Sequence, residues 1–206
     1  MSYQHVLHAI NMFHDELTAV RRDIHANPEL GFQEERTSAL VARTLRALGY
    51  EVHIGIGRTG VVGVLQGKVN TSGRSIGLRA DMDALPVHET GDHLYKSTRE
   101  GVMHACGHDG HTAIMLGVAR YLAETRNFDG RVVLIFQPAE EGLGGAQAML
   151  ADGLFERFNC DAVYALHNWP SLPPGVIGVN SGPMMAAADS FEILIEGRGG
   201  HGAHAY

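Results

Sequence analysis

Several things are scarce in this chain of 206 residues, and each scarcity removes a class of function. There are only two cysteines, Cys106 and Cys160, far apart in a chain whose start, Met1-Ser2-Tyr3-Gln4-His5, lacks the basic opening and apolar run of a secretory leader. The expectation is a cytoplasmic protein with reduced thiols, in which a cysteine can serve as a ligand. No apolar run approaches the ~18 residues of a membrane-spanning helix. Basic residues are outnumbered 16 to 23 by acidic ones and lie scattered, so neither a nucleic-acid stripe nor a polybasic membrane patch is present. A small-molecule partner is expected. With 45% hydrophobic and 19% charged residues, disorder is excluded, and the length suffices for one core and the start of a second. Histidine is the abundant exception: its 13 copies nearly match the 16 lysines and arginines, and several cluster.

Leu7, Ile10, Phe13, Leu17, Val20 and Ile24 recur at helical spacing, predicting one amphipathic helix over 6–26 that Asn27-Pro28 ends. A second helix fits 34–48, with Gly49 as its stop. Strands are expected at 50–54, 61–66 and 75–80, a helix from His108, a doubly buried strand at 131–136, a short helix over 144–150 and another buried strand at 162–166. This alternation predicts an α/β architecture with a mostly parallel central sheet flanked by helices. Ligands of such sheets bind beyond the carboxyl ends of the strands. The chemical segments all follow strand ends. The polar loop from His88 to Gly101 is long enough to fold over a site.

The densest segment is His104-Ala105-Cys106-Gly107-His108-Asp109-Gly110-His111. A thiolate and an imidazole two residues apart can face one metal ion when the intervening glycine lets the backbone turn tightly. A lone cysteine or histidine is more often structural, but three histidines, a cysteine and an aspartate within eight residues point to a metal. In Gln137-Pro138-Ala139-Glu140-Glu141-Gly142, two adjacent carboxylates resist joint burial unless a cation neutralises them. One would bind metal and the other act on a water. Asp81-Met82-Asp83 sets one carboxylate in the site and another behind it, as acceptor for a ligating histidine. Asp109 is an equal candidate for that supporting role, and helix capping or turn formation is the competing one. His167, ending a strand, becomes the fourth ligand once the other segments converge.

In order and spacing these segments resemble the metal-dependent amidohydrolases that include hippurate hydrolases, N-acyl-amino-acid amidohydrolases and plant auxin-conjugate hydrolases. The resemblance is carried by Arg21 to His25 with Pro28-Glu29, Arg79 to Pro86, Met103 to His111, Gln137 to Glu141, Leu166-His167 and Gly197 to Ala203. It implies a zinc-peptidase-like catalytic domain holding two divalent ions, of zinc, manganese, cobalt or nickel. Cys106 would bridge them while His108, Glu141 and His167 complete much of the shell. Glu140 would be the general base on a metal-activated water, with Asp83 and Asp109 as orienting groups. The region around His25 looks structural. His201 matches a histidine on a lid domain that reaches the neighbouring subunit's site and steadies the substrate or oxyanion. The implied activity is hydrolysis of N-acyl or N-aroyl amino acids by a homodimer. A related deacetylase or dipeptidase, or an inactive metal-binding fragment, are the alternatives. Members of the family are much longer and draw a further ligating histidine from their C-terminal part. Against that pattern the chain reads as truncated, with an incomplete catalytic domain over 1–186 and the start of an α+β lid and dimerisation domain over 187–206. The lid would open with a strand over 190–196, and Ala205 and Tyr206 stand where the family has Pro then His.

Overall fold

The computed structural model describes residues 3–187, 189 and 191–204. The single helix expected over 6–26 is two, α1 (Tyr3–Asn11) and α2 (His14–Ala26). The interruption has a packing cause. Phe13 N–H bonds back to Ile10 O at 3.1 Å, closing α1 with a tight turn. Phe13 then leaves helical geometry (φ −125°, ψ 19°), and its ring is buried, 4.4 Å beneath the Arg120 guanidinium. Met12 takes the outward position, 76% exposed. Helix α3 (Glu35–Ala47) follows the predicted pattern, burying Thr37, Val41, Ala42 and Leu45.

Strands β1 (Glu51–Ile56), β2 (Gly60–Gln66), β3 (Ser75–Asp81), β4 (Arg131–Gln137) and β5 (Ala162–Ala165) form one sheet in the order β1-β2-β4-β3-β5. Its parallel character belongs to the β4-β3-β5 half, whereas β1-β2 and β2-β4 pair antiparallel. Alternate residues of β2 and β4 serve opposite faces. Val61, Leu65, Val132, Leu134 and Phe136 join the core shared with α3 and α4 (His108–Thr125). Val62, Val64, Val133 and Ile135 join Met149 of α5 (Gly145–Ala151) and Leu154 of the one-turn α6 (Leu154–Arg157). β4 is therefore buried on both sides, as its apolar run predicts. Helices α2 and α4 approach closely at Gly117, where a Cβ would stand 2.7 Å from Leu17 Cδ1.

Two expectations are corrected. β5 is apolar but not buried: it pairs only with β3 among the described strands, and Val163 and Tyr164 are 44% and 60% exposed. Burial here depends on what lies beside the strand, which its own residues do not encode. The chain divides at Asn168/Trp169 into two compact units, and the expected boundary at 186/187 falls within the second. Within the second unit, residues 191–196 form no strand, because no described neighbour offers the hydrogen-bonded ladder that a strand requires. Ser190, Ala205 and Tyr206 lie outside the described residues. That unit carries one short 3-10 turn, Gly202–His204.

Phe136 is fully buried in the core shared with α3 and α4. Replacing it with alanine is expected to cost about 3–5 kcal/mol, measured by urea denaturation.

Candidate metal centre

Strands β3 and β4 are parallel and end level, Ala80 opposite Phe136 and Asp81 opposite Gln137. The chain leaving β3 therefore carries Asp83 up beside the turn leaving β4, which carries Glu140 and Glu141. A two-way bridge between Leu85 and Met103 returns the chain to the same place. From there Cys106 and Gly107 lead into α4, whose first residue is His108. β5, alongside β3, delivers His167.

His108 is the centre of the arrangement. It is fully buried and belongs to three of the donor groups whose atoms lie within 4.8 Å of one another: Cys106–His108–His167, His108–Glu140–Glu141 and Asp81–His108–His111. Its Nδ1 faces Asp83 Oδ1 at 3.3 Å. The other oxygen of Asp83 accepts the Glu141 backbone N–H at 3.0 Å, so one carboxylate steadies both a candidate ligand and the turn bearing another. His108 Nε2 stands 3.7 Å from Asp81 Oδ2, 3.7 Å from Glu141 Oε1 and 3.9 Å from Glu140 Oε2. Cys106 Sγ is 3.3 Å from His167 Nε2.

The residues fit a metal on the chemistry of their unsatisfied atoms. His108 Nε2, Asp81 Oδ2 and Glu141 Oε1 are buried without a hydrogen-bond partner. Arg79 approaches Asp81 Oδ2 at 2.8 Å, as a charge contact lacking hydrogen-bond alignment. Atoms bound to one ion at 2.0–2.3 Å stand about 3.3–3.7 Å apart in a tetrahedron. The distances from His108 Nε2 to Asp81 and Glu141, both 3.7 Å, fall in that range. Electrostatics agree. Burial and then the charges of Glu141, Glu140 and Asp81 push the Cys106 thiol up to about 12, so it holds its proton until a cation offsets them. Burial opposes charge on His108, but its contact with Asp83 and the charges of Asp81, Asp83 and Glu141 raise its pKa overall.

The structure thus brings together Cys106, His108, Glu140, Glu141, His167 and Asp83. Asp109 is placed elsewhere: its carboxylate meets His25 Nδ1 at 2.9 Å and Arg21 Nε at 2.8 Å, tying α4 to α2. His25, in turn, reaches Glu89 at 3.1 Å, and Glu89 accepts the Ser97 N–H at 2.6 Å, so the loop at 88–101 is moored to α2. The hydrogen bond with Asp109, opposed by burial and aided by Glu89, raises the His25 pKa. His201 belongs to the second unit, where it is exposed and accepts the Ala203 N–H at 3.2 Å.

Two groups take supporting roles that the sequence does not assign them. His111 forms a 2.6 Å hydrogen bond with Asp81, and its sequence signal is its i+3 position from His108 on one helix face. Glu34, with no exposed surface, accepts the backbone N–H of Ala139 at 2.7 Å and the Thr59 hydroxyl at 2.5 Å. Burial raises its pKa despite these bonds. Ala139 has φ +48°, a left-handed conformation that side-chain-bearing residues adopt at a cost of about 1–2 kcal/mol. Glu34 thereby holds the turn that aims Glu140 and Glu141. No local pattern announces it.

Burial works against ionisation of Asp81, but the His111 hydrogen bond, Arg79 and the His108 charge outweigh it and bring its pKa from 3.8 to about 2. A depressed carboxylate stabilises the fold above its ordinary pKa and loses that contribution as pH falls through the folded value. In metal-free protein, Asp81→Asn is expected to cost about 2 kcal/mol near neutrality. The gap from the parent should narrow as pH falls from 3.8 to about 2, in urea denaturations at successive pH values.

The chain is similar to known proteins along most of its length. The chain is 55% identical over 188 residues to the hippurate hydrolase of Campylobacter jejuni, covering 91% of this chain and 48% of that protein. It is 50% identical over 193 residues to thermostable carboxypeptidase 2 of Saccharolobus solfataricus, covering 92% and 48%. Among solved structures it resembles the Bacillus subtilis YxeP protein, described as a dinuclear metal-binding peptidase, with TM-score 0.79 and 41% identity over 84% of this chain and 48% of that one. The chain spans about half the length of the curated relatives it matches. Residues 77–202, more than half of the chain and inclusive of every candidate ligand, match peptidase family M20/M25/M40, and the chain belongs to that family.

Proposed function

We propose that the protein carrying this chain hydrolyses the amide bond of N-acyl or N-aroyl amino acids at a centre of two divalent metal ions. The observation that carries the reading is that His108 Nε2, buried and unpartnered, has the equally unpartnered Asp81 Oδ2 and Glu141 Oε1 each 3.7 Å away. Cys106, His108, Glu141 and His167 would hold the ions, with Cys106 shared. Zinc, manganese, cobalt or nickel would lower the pKa of a bound water from roughly 15.7 to about 7 and polarise the substrate carbonyl. The dinuclear description of YxeP supports a pair of ions.

Glu140 is the base. Its carboxylate borders His108 and is the more exposed of the pair, 40% against 25% for Glu141, which supports giving it the proton transfer. It takes the proton of the attacking water and returns it to the leaving amine. Asp83 keeps His108 and the Glu141 backbone in place throughout. His201 is assigned to the developing oxyanion in the neighbouring subunit of a homodimer, a role supported by its exposure and by the motif around it.

The name of the hippurate hydrolase supports an N-aroyl amino acid as substrate. The carboxypeptidase name favours a second reading, release of an amino acid from a peptide end. Among the described residues no helix is long and apolar enough to cross a membrane. The same reading gives a cytoplasmic enzyme with a small-molecule substrate and no nucleic-acid partner.

In the full-length polypeptide, Glu140→Gln is expected to retain its bound metal and lose at least about a hundredfold in turnover of hippurate and N-acetyl amino acids. Parent-like turnover would reject the base assignment. Chelation should abolish turnover, and restoring divalent metal should recover it. Full activity in demonstrably metal-free protein would reject the centre itself.

A further inference from the structure

His111 lies one helical turn from His108 but is engaged in a different task. Its Nδ1 is 2.6 Å from Asp81 Oδ1, an acceptor, so Nδ1 carries the hydrogen. Its Nε2, left with a lone pair, accepts the backbone N–H of Asn168 at 2.9 Å. The carbonyl of the same Asn168 is 2.7 Å from His167 Nδ1 and can only accept, so that nitrogen also carries its hydrogen. The consequence is chemical. His167 turns its lone-pair nitrogen, Nε2, toward Cys106 Sγ at 3.3 Å. The two imidazoles also pack edge to face, with ring centroids 4.6 Å apart. The far side of Asn168 is closed by Gly107, where a Cβ would stand 2.5 Å from Asn168 Oδ1.

We propose that His111 is a positioning residue: anchored by Asp81, it pins the main chain at Asn168, and Asn168 fixes His167 in the tautomer that presents Nε2 to the metal centre. The inference rests on the reading of His167 as a metal ligand. It explains why β5, a four-residue edge strand, can end in a ligand without one of its own side chains fixing the direction. Partners of this kind raise metal affinity by about 10- to 100-fold.

The test uses the full-length polypeptide. Affinity for zinc is measured by chelator competition in the parent, His111→Leu, His111→Gln and His167→Ala, together with thermal midpoints. Leucine removes both hydrogen bonds, whereas the glutamine carbonyl can still accept the Asn168 N–H. Expected is a 10- to 100-fold weaker zinc affinity in His111→Leu, with most of it recovered in His111→Gln at a similar thermal midpoint. Affinity unchanged in His111→Leu while His167→Ala loses metal would overturn the positioning role and leave the centre standing. Parent-like affinity in His167→Ala would instead remove the ligand assignment beneath it. A readout needing no variant is the nitrogen-15 spectrum of the metal-free parent. Nδ1–H tautomers at both His111 and His167 are expected, and Nε2–H at either overturns the proposal even if His111→Leu fails to fold.

Discussion

Because β3 and β4 stay parallel and in register to their last pair, two chain exits rise side by side from the interior of the sheet. One exit delivers Asp81 and Asp83 and the other Glu140 and Glu141, and for Asp81 and Asp83 burial removes the water that would screen them. Carboxylates so crowded repel one another in a medium of low polarity unless positive charge is set among them. Arg79 supplies some of it to Asp81, and the His108 ring stands 3.7 Å from the same carboxylate. Three atoms still lack partners, and this shortfall turns a packing problem into a cation site.

The supports divide the labour by distance from the centre. Asp83 touches a candidate ligand directly and the backbone of another. Asp81 and His111 act on His167 through a main-chain segment. Asp109, His25 and Glu89 act on whole elements, joining α4, α2 and the loop at 88–101. A helix that begins with a candidate ligand is thereby held at its N-terminal end by contacts that avoid that ligand.

How much of this is legible in the sequence depends on whether the signal is local. β4 is read correctly because Val132 to Phe136 is apolar at every position, and α3 because its period runs for three turns. The interruption at Met12–Phe13 leaves the apolar period intact on both sides and so hides within it. One-turn α6 is too short to show a period at all. The candidate ligands are legible by residue type, Cys106 and His108 in a dense segment at the start of α4, Glu141 and His167 just after strands. Apart from Asp83, their supports are not: Glu34 meets Ala139 across 105 positions, His25 meets Glu89 across 64, and Asp81 meets His111 across 30. Such pairs exist only once the sheet has brought distant segments together. Asp109 shows the reverse, since its neighbourhood in sequence suggests a ligand's partner while its neighbourhood in space is α2.

The left-handed backbone at Ala139, moored by Glu34, bears on how the glutamate pair can change. Adjacent residues in an extended segment would point in opposite directions, and bringing both to His108 would fall to their rotamers. Here the main chain sets the direction of the turn before either side chain is considered. The identities at 140 and 141 are therefore separable, and the turn can bring a different residue at 140 to the neighbourhood of His108 while 141 keeps its place beside it.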